Sequence, residues 1–166
     1  MSRRLIAYSI AAVLFALDRV TKLAIQANMS PQDAYAVIPG FFNIVRTGNR
    51  GMAFGLMSEG DAEWRAFFLV GLTVLVLAFV ATVLWQSSGR GMAASGAARV
   101  GLSLVLGGAV GNLYDRLFSG AVTDFLDFHI SEHHWPAFNL ADSGISVGAV
   151  LVLLDLWLSR RKAVAT

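Results

Sequence analysis

Four apolar stretches divide the chain, at about residues 5–24, 64–85, 97–114 and 140–158. The second stretch begins and ends at a tryptophan, which is typical of the aromatic side chains that lie at the two surfaces of a membrane. A helix needs about 20 residues to cross the hydrocarbon core of a bilayer. The pattern therefore predicts an all-α membrane protein with four transmembrane helices.

A different pattern fills the connection between the first and second stretches. Residues 35–57 are rich in β-branched and aromatic side chains, and one proline and four glycines punctuate them. Such sequences favour short strands joined by turns. We expect a small extracytoplasmic β-platform at about residues 33–60, between helices 1 and 2, and we hypothesise that its loop at 43–60 closes as a lid. The Gly/Ser/Ala-rich segment 86–98 is interpreted as a linker.

Composition agrees with a membrane protein. Hydrophobic residues make up 56% of the 166 residues and charged residues only 14%, against about 45–50% and 25% in soluble domains. The mean hydropathy is +0.62. This length suits one domain, so we expect a single integral membrane domain over residues 1–166. The net charge of +2 does not indicate a nucleic-acid partner, and nothing in the sequence requires more than a monomer.

Two further features of the sequence narrow the possibilities. There are no cysteines, which excludes disulfides, thiolate nucleophiles and cysteine-based metal sites. The N-terminal Met-Ser-Arg-Arg and the apolar residues 5–17 resemble a secretory signal peptide. No convincing cleavage site with small residues follows them, so we expect an uncleaved first helix.

The basic residues predict the orientation of the helices. Lys and Arg are enriched on the cytoplasmic side of membrane proteins. Seven of these residues fall on one side of the predicted bundle: Arg3, Arg4, Arg90, Arg99, Arg160, Arg161 and Lys162. This side, with both termini, is therefore predicted to be cytoplasmic. Only Asp155 among the acidic residues lies toward that side, and the other acids face outward.

Polar residues concentrate between the third and fourth apolar stretches. The segment 111–143 holds five of the eleven acidic residues. Ionisable groups at the edge of a membrane are costly, and they indicate a functional site. Asp124 and Asp142 are the two candidates. As an alternative, Asp142 is a helix-end carboxylate in a capping box with Asn139. An interfacial strand or loop with its acids in water is the alternative for this region, and it fits Asp127, which we leave outside the site.

The order of the motifs resembles the lipoprotein signal peptidases (signal peptidase II). These motifs are G-N-x-x-D-R from Gly111, V-x-D-F from Val122 and F-N-x-A-D-S from Phe138, preceded by Asp-x-x-x-Lys at Asp18 and Asn-x-Gly-x-Ala-Phe at Asn49. The resemblance covers nearly the whole chain. It implies an intramembrane aspartyl endopeptidase in the bacterial cytoplasmic (inner) membrane, with its active site at the outer face.

The same resemblance implies a substrate and a mechanism. The enzyme would cleave diacylglyceryl-modified prolipoproteins just before the lipidated cysteine, beside membrane lipid, using water and no metal or cofactor. Two neighbouring carboxylates, Asp124 and Asp142, cannot both ionise cheaply, so the pair supplies a base and an acid. The resemblance assigns substrate-binding or supporting roles to six other residues: Asp18, Lys22, Asn49, Asn112, Arg116 and Asn139.

Simpler structural roles remain open for several of these residues. Asp18 and Lys22 are four residues apart, which also suits an interfacial i,i+4 ion pair. Asp115 and Arg116 are adjacent, which suits a local ion pair or an arginine that extends to the membrane surface. The chain also departs from the family pattern, because Arg19 replaces the usual Gln and both Arg50 and Met52 replace smaller residues. Arg19 adds a positive charge near the site.

Two other patterns invite an interpretation. Gly107-x-x-x-Gly111 and Gly144-x-x-x-Gly148 allow close helix packing. If the two faces meet, Asn112 and Arg116 come near Asp142, although glycines of this kind often serve packing alone. The three histidines suggest a metal site together with Glu132, but two of them are adjacent, which is poor geometry for one ion. We expect them to be solvated loop residues: His129, His133 and His134.

Two other classes of function fit parts of the sequence. Intramembrane carboxylates also serve proton relays in transporters and channels. That class predicts charges near the middle of the bilayer and internal repeats, whereas here the charges cluster at one side and no repeat is visible. A structural scaffold with partner-binding outer loops is the second alternative. A scaffold predicts that removal of either candidate Asp lowers stability or partner binding but affects no catalytic turnover.

Overall fold

The structure, a computed structural model, describes residues 2–51, 62–87 and 95–164. It is mostly helical, with a small antiparallel sheet. The helices are α1 (Arg3–Asn28), α2 (Ala62–Ser87), α3 (Gly96–Ser119) and α4 (Leu140–Val164). The strands are β1 (Ala34–Ile38), β2 (Phe42–Asn49), β3 (Val122–Ile130) and β4 (His133–His134).

Three of the described helices are long and apolar enough to cross a membrane: Phe67–Gln86, Gly96–Ser119 and Leu140–Arg161. Helix α1 is as long, with 26 residues, but it is richer in charge. Its charged Asp18 and Lys22 are buried inside the protein, while Leu17, Val20 and Leu23 are each more than half exposed. Helix α1 therefore turns its polar side inward and presents an apolar side to its surroundings.

Each helix extends beyond the apolar stretch that predicted it. The largest difference is at the end of α3, which was expected near residue 114 and continues to Ser119. The charged residues Asp115 and Arg116 lie within the helix rather than after it, and Asp115 is buried inside the protein. Gly120 then ends the helix in a left-handed conformation, with φ of 68°, which glycine adopts without steric cost.

The sheet is built from two separate connections. Its strand order is β1-β2-β3-β4, with antiparallel pairing throughout. The strands expected between the first two helices are β1 and β2, and the sheet is completed by β3 and β4 between α3 and α4, in the region where a strand was one alternative for Asp124. The register pairs Asn49 with Val122 and Thr47 with Asp124. The sheet thereby holds the end of β2 against the start of β3. Residues 52–61 of the expected platform and lid, and residues 88–94 of the linker, lie outside the described residues.

Helix α3 packs against each of the other three helices. The glycines of the two motifs do not pack on each other, but Asn112 does contact Asp142, as their meeting would have implied. Gly107 instead faces α1, where an added Cβ would lie 2.5 Å from the carbonyl oxygen of Ala11. Contact with α4 is made by Gly101, where an added Cβ would lie 2.6 Å from the carbonyl oxygen of Gly148. Small residues let the backbones approach closely, so α1 and α4 use different faces of α3.

Candidate active site

Asn139 and Asp142 form the capping box that the sequence predicted. The backbone N–H of Asp142 donates to Oδ1 of Asn139 at 2.9 Å. In return, the backbone N–H of Asn139 donates to Oδ2 of Asp142 at 3.3 Å. The box fixes the carboxylate in the first turn of α4, where the helix dipole favours a negative charge.

Asp124 lies on β3 and is only 2% exposed. Its Oδ1 accepts a hydrogen bond from Nδ2 of Asn139 at 2.7 Å, and its Oδ2 accepts one from Nδ2 of Asn49 at 3.0 Å. Burial raises the pKa of Asp124 to about 6, aided by the negative charge of Asp142 and opposed by the two hydrogen bonds. The structure therefore brings both candidate carboxylates to the same residue, Asn139, whose side chain bonds Asp124 and whose backbone N–H bonds Asp142.

Asn112 provides a second amide beside the pair. Its Nδ2 donates to Oδ1 of Asp142 at 2.7 Å. Its Oδ1 accepts from Nζ of Lys22 at 3.0 Å and from Nδ2 of Asn139 at 3.3 Å. The ammonium group thus fixes which way the Asn112 amide faces, because a lysine can only donate. The amide nitrogen is left to hold Asp142.

Lys22 lies at the centre of a buried ion cluster beside these amides. Its Nζ is 2.8 Å from Oδ2 of Asp18 and 2.7 Å from Oδ2 of Asp115. The i,i+4 ion pair that the spacing suggested is therefore present, but Lys22 and Asp18 are both fully buried inside the protein. Oδ1 of Asp18 also accepts from the backbone N–H of Ala141 at 3.0 Å. This bond ties α1 to the first turn of α4.

Asp115 and Arg19 are members of this cluster that the sequence did not assign to the site. Asp115 turns toward α1, where it pairs with Arg19 as well as Lys22. The guanidinium of Arg19 lies 4.5 Å from the ring centre of Tyr114. Adjacent helical residues point in different directions, so Asp115 and Arg116 have different partners. The signal available in the sequence was Asp115 itself, within the G-N-x-x-D-R motif.

Arg116 reaches from α3 to the end of β2. Its Nη2 donates to the carbonyl oxygen of Gly51 at 2.9 Å. The N–H of Gly51 in turn donates to Oδ1 of Asn49 at 2.9 Å. Asn49 therefore uses its amide oxygen to hold the turn and its amide nitrogen to hold Asp124. All eight side chains that the sequence proposed for the site lie in this one connected network.

A groove of about 480 Å³ opens beside Asp142. Asn49 and Asp142 contribute polar groups to it, and Trp135, Phe138 and Val147 contribute apolar surface. Asp142 is partly exposed, whereas Asp124 is buried and does not line the groove. Water and a polar chain can thus reach Asp142 from the groove.

The expectation of a loop was wrong, because His129 lies on β3 and the other two histidines form β4, but His133 and His134 are exposed to solvent as expected. Nδ1 of His134 is 2.9 Å from Oδ1 of Asp127, and Nδ2 of Asn43 donates to Oδ2 of Asp127 at 2.8 Å. Asp127 is 6% exposed rather than immersed in water. Burial would raise the pKa of Asp127, but the hydrogen bonds from His134 and Asn43 outweigh it, and the pKa is lowered. Asp127 is a sheet residue with partners of its own.

The fold and this network define a helical membrane protein with a buried polar site at one end of its bundle. Similarity to known proteins gives the family. The family model described as Signal peptidase (SPase) II matches residues 10–158. The lipoprotein signal peptidase of Solibacter usitatus is 48% identical over 157 residues, which cover 95% of this chain and 93% of that protein. The lipoprotein signal peptidase of Oleidesulfovibrio alaskensis is 44% identical, with 93% and 96% covered.

A solved structure agrees with these sequence matches. It is a bacterial membrane enzyme determined by the in meso method at 2.3 Å resolution, with 30% identity and a TM-score of 0.79. The match covers 93% of this chain and 88% of that one. The chain therefore belongs to the signal peptidase II family, which is a family of proteases. Membership implies cleavage of prolipoprotein signal peptides.

Proposed function

We propose that this protein is an intramembrane aspartyl endopeptidase with Asp124 and Asp142 as its catalytic pair. Its substrates would be diacylglyceryl-modified prolipoproteins, cut just before the lipidated cysteine. The observation that carries the proposal is that Asn139 donates to both carboxylates, to Asp124 through its side-chain nitrogen and to Asp142 through its backbone N–H. A buried pair of this kind matches the requirement of peptide hydrolysis for one base and one acid.

The pair performs the reaction by sharing one proton. Burial and the neighbouring charge of Asp142 raise the pKa of Asp124 to about 6, which favours a state in which the pair holds one proton. The ionised carboxylate takes a proton from a water molecule, and the resulting hydroxide attacks the carbonyl carbon of the scissile bond. The protonated carboxyl stabilises the developing oxyanion. A proton then passes to the leaving amine as the C–N bond breaks.

The surrounding residues hold this pair and the substrate. Asn112 and Asn139 orient the carboxylates through their amide nitrogens. Asn49 and Arg116 fix the turn at the end of β2, and in this proposal they also bind the backbone of the substrate. Their donors suit peptide carbonyl groups.

Asp18 and Lys22 act one layer further from the reaction. Lys22 sets the orientation of Asn112, and Asp18 bonds the backbone of Ala141. These two contacts place the first turn of α4, which carries Asp142. We therefore assign Asp18 and Lys22 as positioning residues for the pair.

The same proposal includes an arrangement in the membrane. Helix α1 would be the fourth span, since its outward side is apolar and its charges are paired inside. Residues 1–166 would form one integral domain in the bacterial inner membrane, with both termini cytoplasmic. The sheet would lie on the outer surface, and the apolar groove beside Asp142 would receive the peptide next to membrane lipid. The protein would act as a monomer, without nucleic acid or cofactor.

Cleavage of matched substrates tests the proposed specificity. The purified protein in detergent would receive a diacylglyceryl-modified prolipoprotein and, in parallel, the unmodified precursor. We expect cleavage of the modified form only, and mass spectrometry should show a product that begins at the lipidated cysteine. Equal cleavage of both forms, or a cut at another bond, would contradict the proposed substrate. If the folded protein cleaves neither, a proton-flux assay in liposomes would test the transporter alternative.

A further inference from the structure

A crevice opens at the end of the bundle opposite the two carboxylates, between the first turns of α1 and α3. It has a volume of about 170 Å³. Arg3 and Arg99 line it, and Ile6, Ile10 and the fully buried Ser103 form its apolar and polar walls. The crevice therefore combines two cationic groups with apolar surface in one place.

An apolar groove continues from this crevice along the same two helices. Ile6 and Ile10 border both spaces, and the groove of about 360 Å³ then runs along α1 to Leu17, with Leu104 of α3 on its other side. The stretch from Ile6 to Leu17 is roughly 17 Å long at the helical rise of 1.5 Å per residue. One leaflet of a membrane is about 15 Å deep in hydrocarbon. The groove thus matches a single acyl chain in length and in chemistry.

The electrostatics at the mouth of the crevice favour an anion. The N-termini of α1 and α3 both lie there, and neither helix has an acidic residue in its first turn. Helix N-termini carry a partial positive charge. Arg3 and Arg99, one from each of these helices, border the crevice and add two full positive charges.

We propose that this crevice and groove, here named the arginine groove, bind one anionic phospholipid. Its phosphate group would lie between Arg3 and Arg99, and one of its acyl chains would lie along Ile6, Ile10 and Leu17. A bound lipid would join the first turns of α1 and α3 from outside. The site lies at the opposite end of the bundle from Asp124 and Asp142, so it is distinct from the substrate groove.

Native mass spectrometry of the purified full chain in neutral detergent tests this site. The protein would be titrated with phosphatidylglycerol and, separately, with phosphatidylcholine of the same acyl chains. We expect one phosphatidylglycerol molecule to bind in preference to phosphatidylcholine. The double variant Arg3→Gln/Arg99→Gln should weaken that binding roughly tenfold or more, because each basic residue near a lipid surface contributes a factor of about five.

Two further variants distinguish specific binding in the groove from non-specific attraction of an anionic lipid to basic residues. Arg160→Gln/Arg161→Gln removes the same charge from α4 at the same end and should change binding by less than about twofold. Ile10→Trp keeps both arginines but fills the groove, and it should also lose the lipid. Equal weakening in both double variants would overturn the proposal. So would unchanged binding in Ile10→Trp, equal binding of the two lipids, or displacement of phosphatidylglycerol by equimolar inorganic phosphate.

Discussion

At the scale of the residue, Asp124 is a carboxyl group whose environment opposes ionisation. Its pKa rises from an ordinary value of 3.8 to about 6. Between about pH 4 and 6 the folded protein therefore binds more protons than the unfolded chain, and its stability falls as the pH rises through this window. Asp124→Asn cannot ionise. We expect the stability of wild type relative to this variant to fall by on the order of 2–3 kcal/mol across the window, measured by thermal unfolding in detergent.

The same titration tests whether Asp142 acts on Asp124. Removing the like charge with Asp142→Asn should lower the pKa of Asp124. The loss of stability with rising pH should then occur at lower pH than in wild type. Asp127→Asn is the matched control, because Asp127 lies on the same strand and has separate partners. An unchanged pH dependence in Asp142→Asn would show that the two carboxylates are not coupled.

Lys22 is the residue whose loss should cost the most stability. Lys22→Met leaves Asp18 and Asp115 buried without their shared cation, and breaking a buried ion cluster costs about 3–5 kcal/mol. Arg19→Gln is the control, because it removes a partner of Asp115 whose side chain is 16% exposed and leaves Lys22 in place. Thermal unfolding in detergent should show the larger loss for Lys22→Met. Equal stability of the two variants would contradict the central role of Lys22.

Sequence reasoning at this scale identified residues better than it identified their contacts. The motifs named Asp124, Asp142 and Asn139, and the spacing of the last two predicted their capping box. Capping is local, so three residues of sequence determine it. The pairing of Lys22 with Asp115 depends on α1 and α3 lying side by side, and residue spacing carries no information about such a contact.

At the scale of the element, Gly101 controls how closely α4 approaches α3. An added Cβ would lie 2.6 Å from the carbonyl oxygen of Gly148, so the helices must separate. We expect Gly101→Ala to lower stability by about 1–3 kcal/mol and to weaken the contact between Asn112 and Asp142. At Gly71 of α2 an added Cβ meets no atom within 4 Å.

Gly71→Ala should therefore be neutral or raise stability by about 0.5–1 kcal/mol, because alanine is the better helix former. The pair of variants would be compared by thermal unfolding in the same detergent. Similar effects of the two substitutions would show that close packing at Gly101 is not needed.

The elements also show where sequence patterns stop being informative. The helices were evident from apolar length, which is the dominant signal in a membrane protein. The sheet was only half anticipated, because β3 follows a helix directly and its residues, Val122–Ile130, alternate only in part. Its pairing with β2 is a contact between distant segments. That pairing, rather than either strand alone, brings Asn49 to Asp124.

At the scale of the whole molecule, the bundle has two chemically different ends. Arg3, Arg4 and Arg99 mark one end, and the sheet with its carboxylates marks the other. The absence of cysteine permits single-cysteine labelling at each end. We expect an impermeant maleimide to label Glu132→Cys in intact spheroplasts and Ser2→Cys only after permeabilisation. The reverse pattern would invert the proposed orientation, and labelling of both after permeabilisation is the control.

The proposed activity depends most directly on the two carboxylates, and one comparison of cleavage rates tests them. Asp124→Asn, Asp142→Asn and Asp127→Asn would be assayed on the diacylglyceryl-modified substrate, each after thermal unfolding has shown it to be folded. Asp127 is also a buried acid on β3 bonded by an asparagine. The account predicts losses of about 10²–10⁴-fold or more in kcat for the first two and nearly unchanged cleavage for Asp127→Asn. Substantial cleavage by folded Asp124→Asn or Asp142→Asn would contradict it.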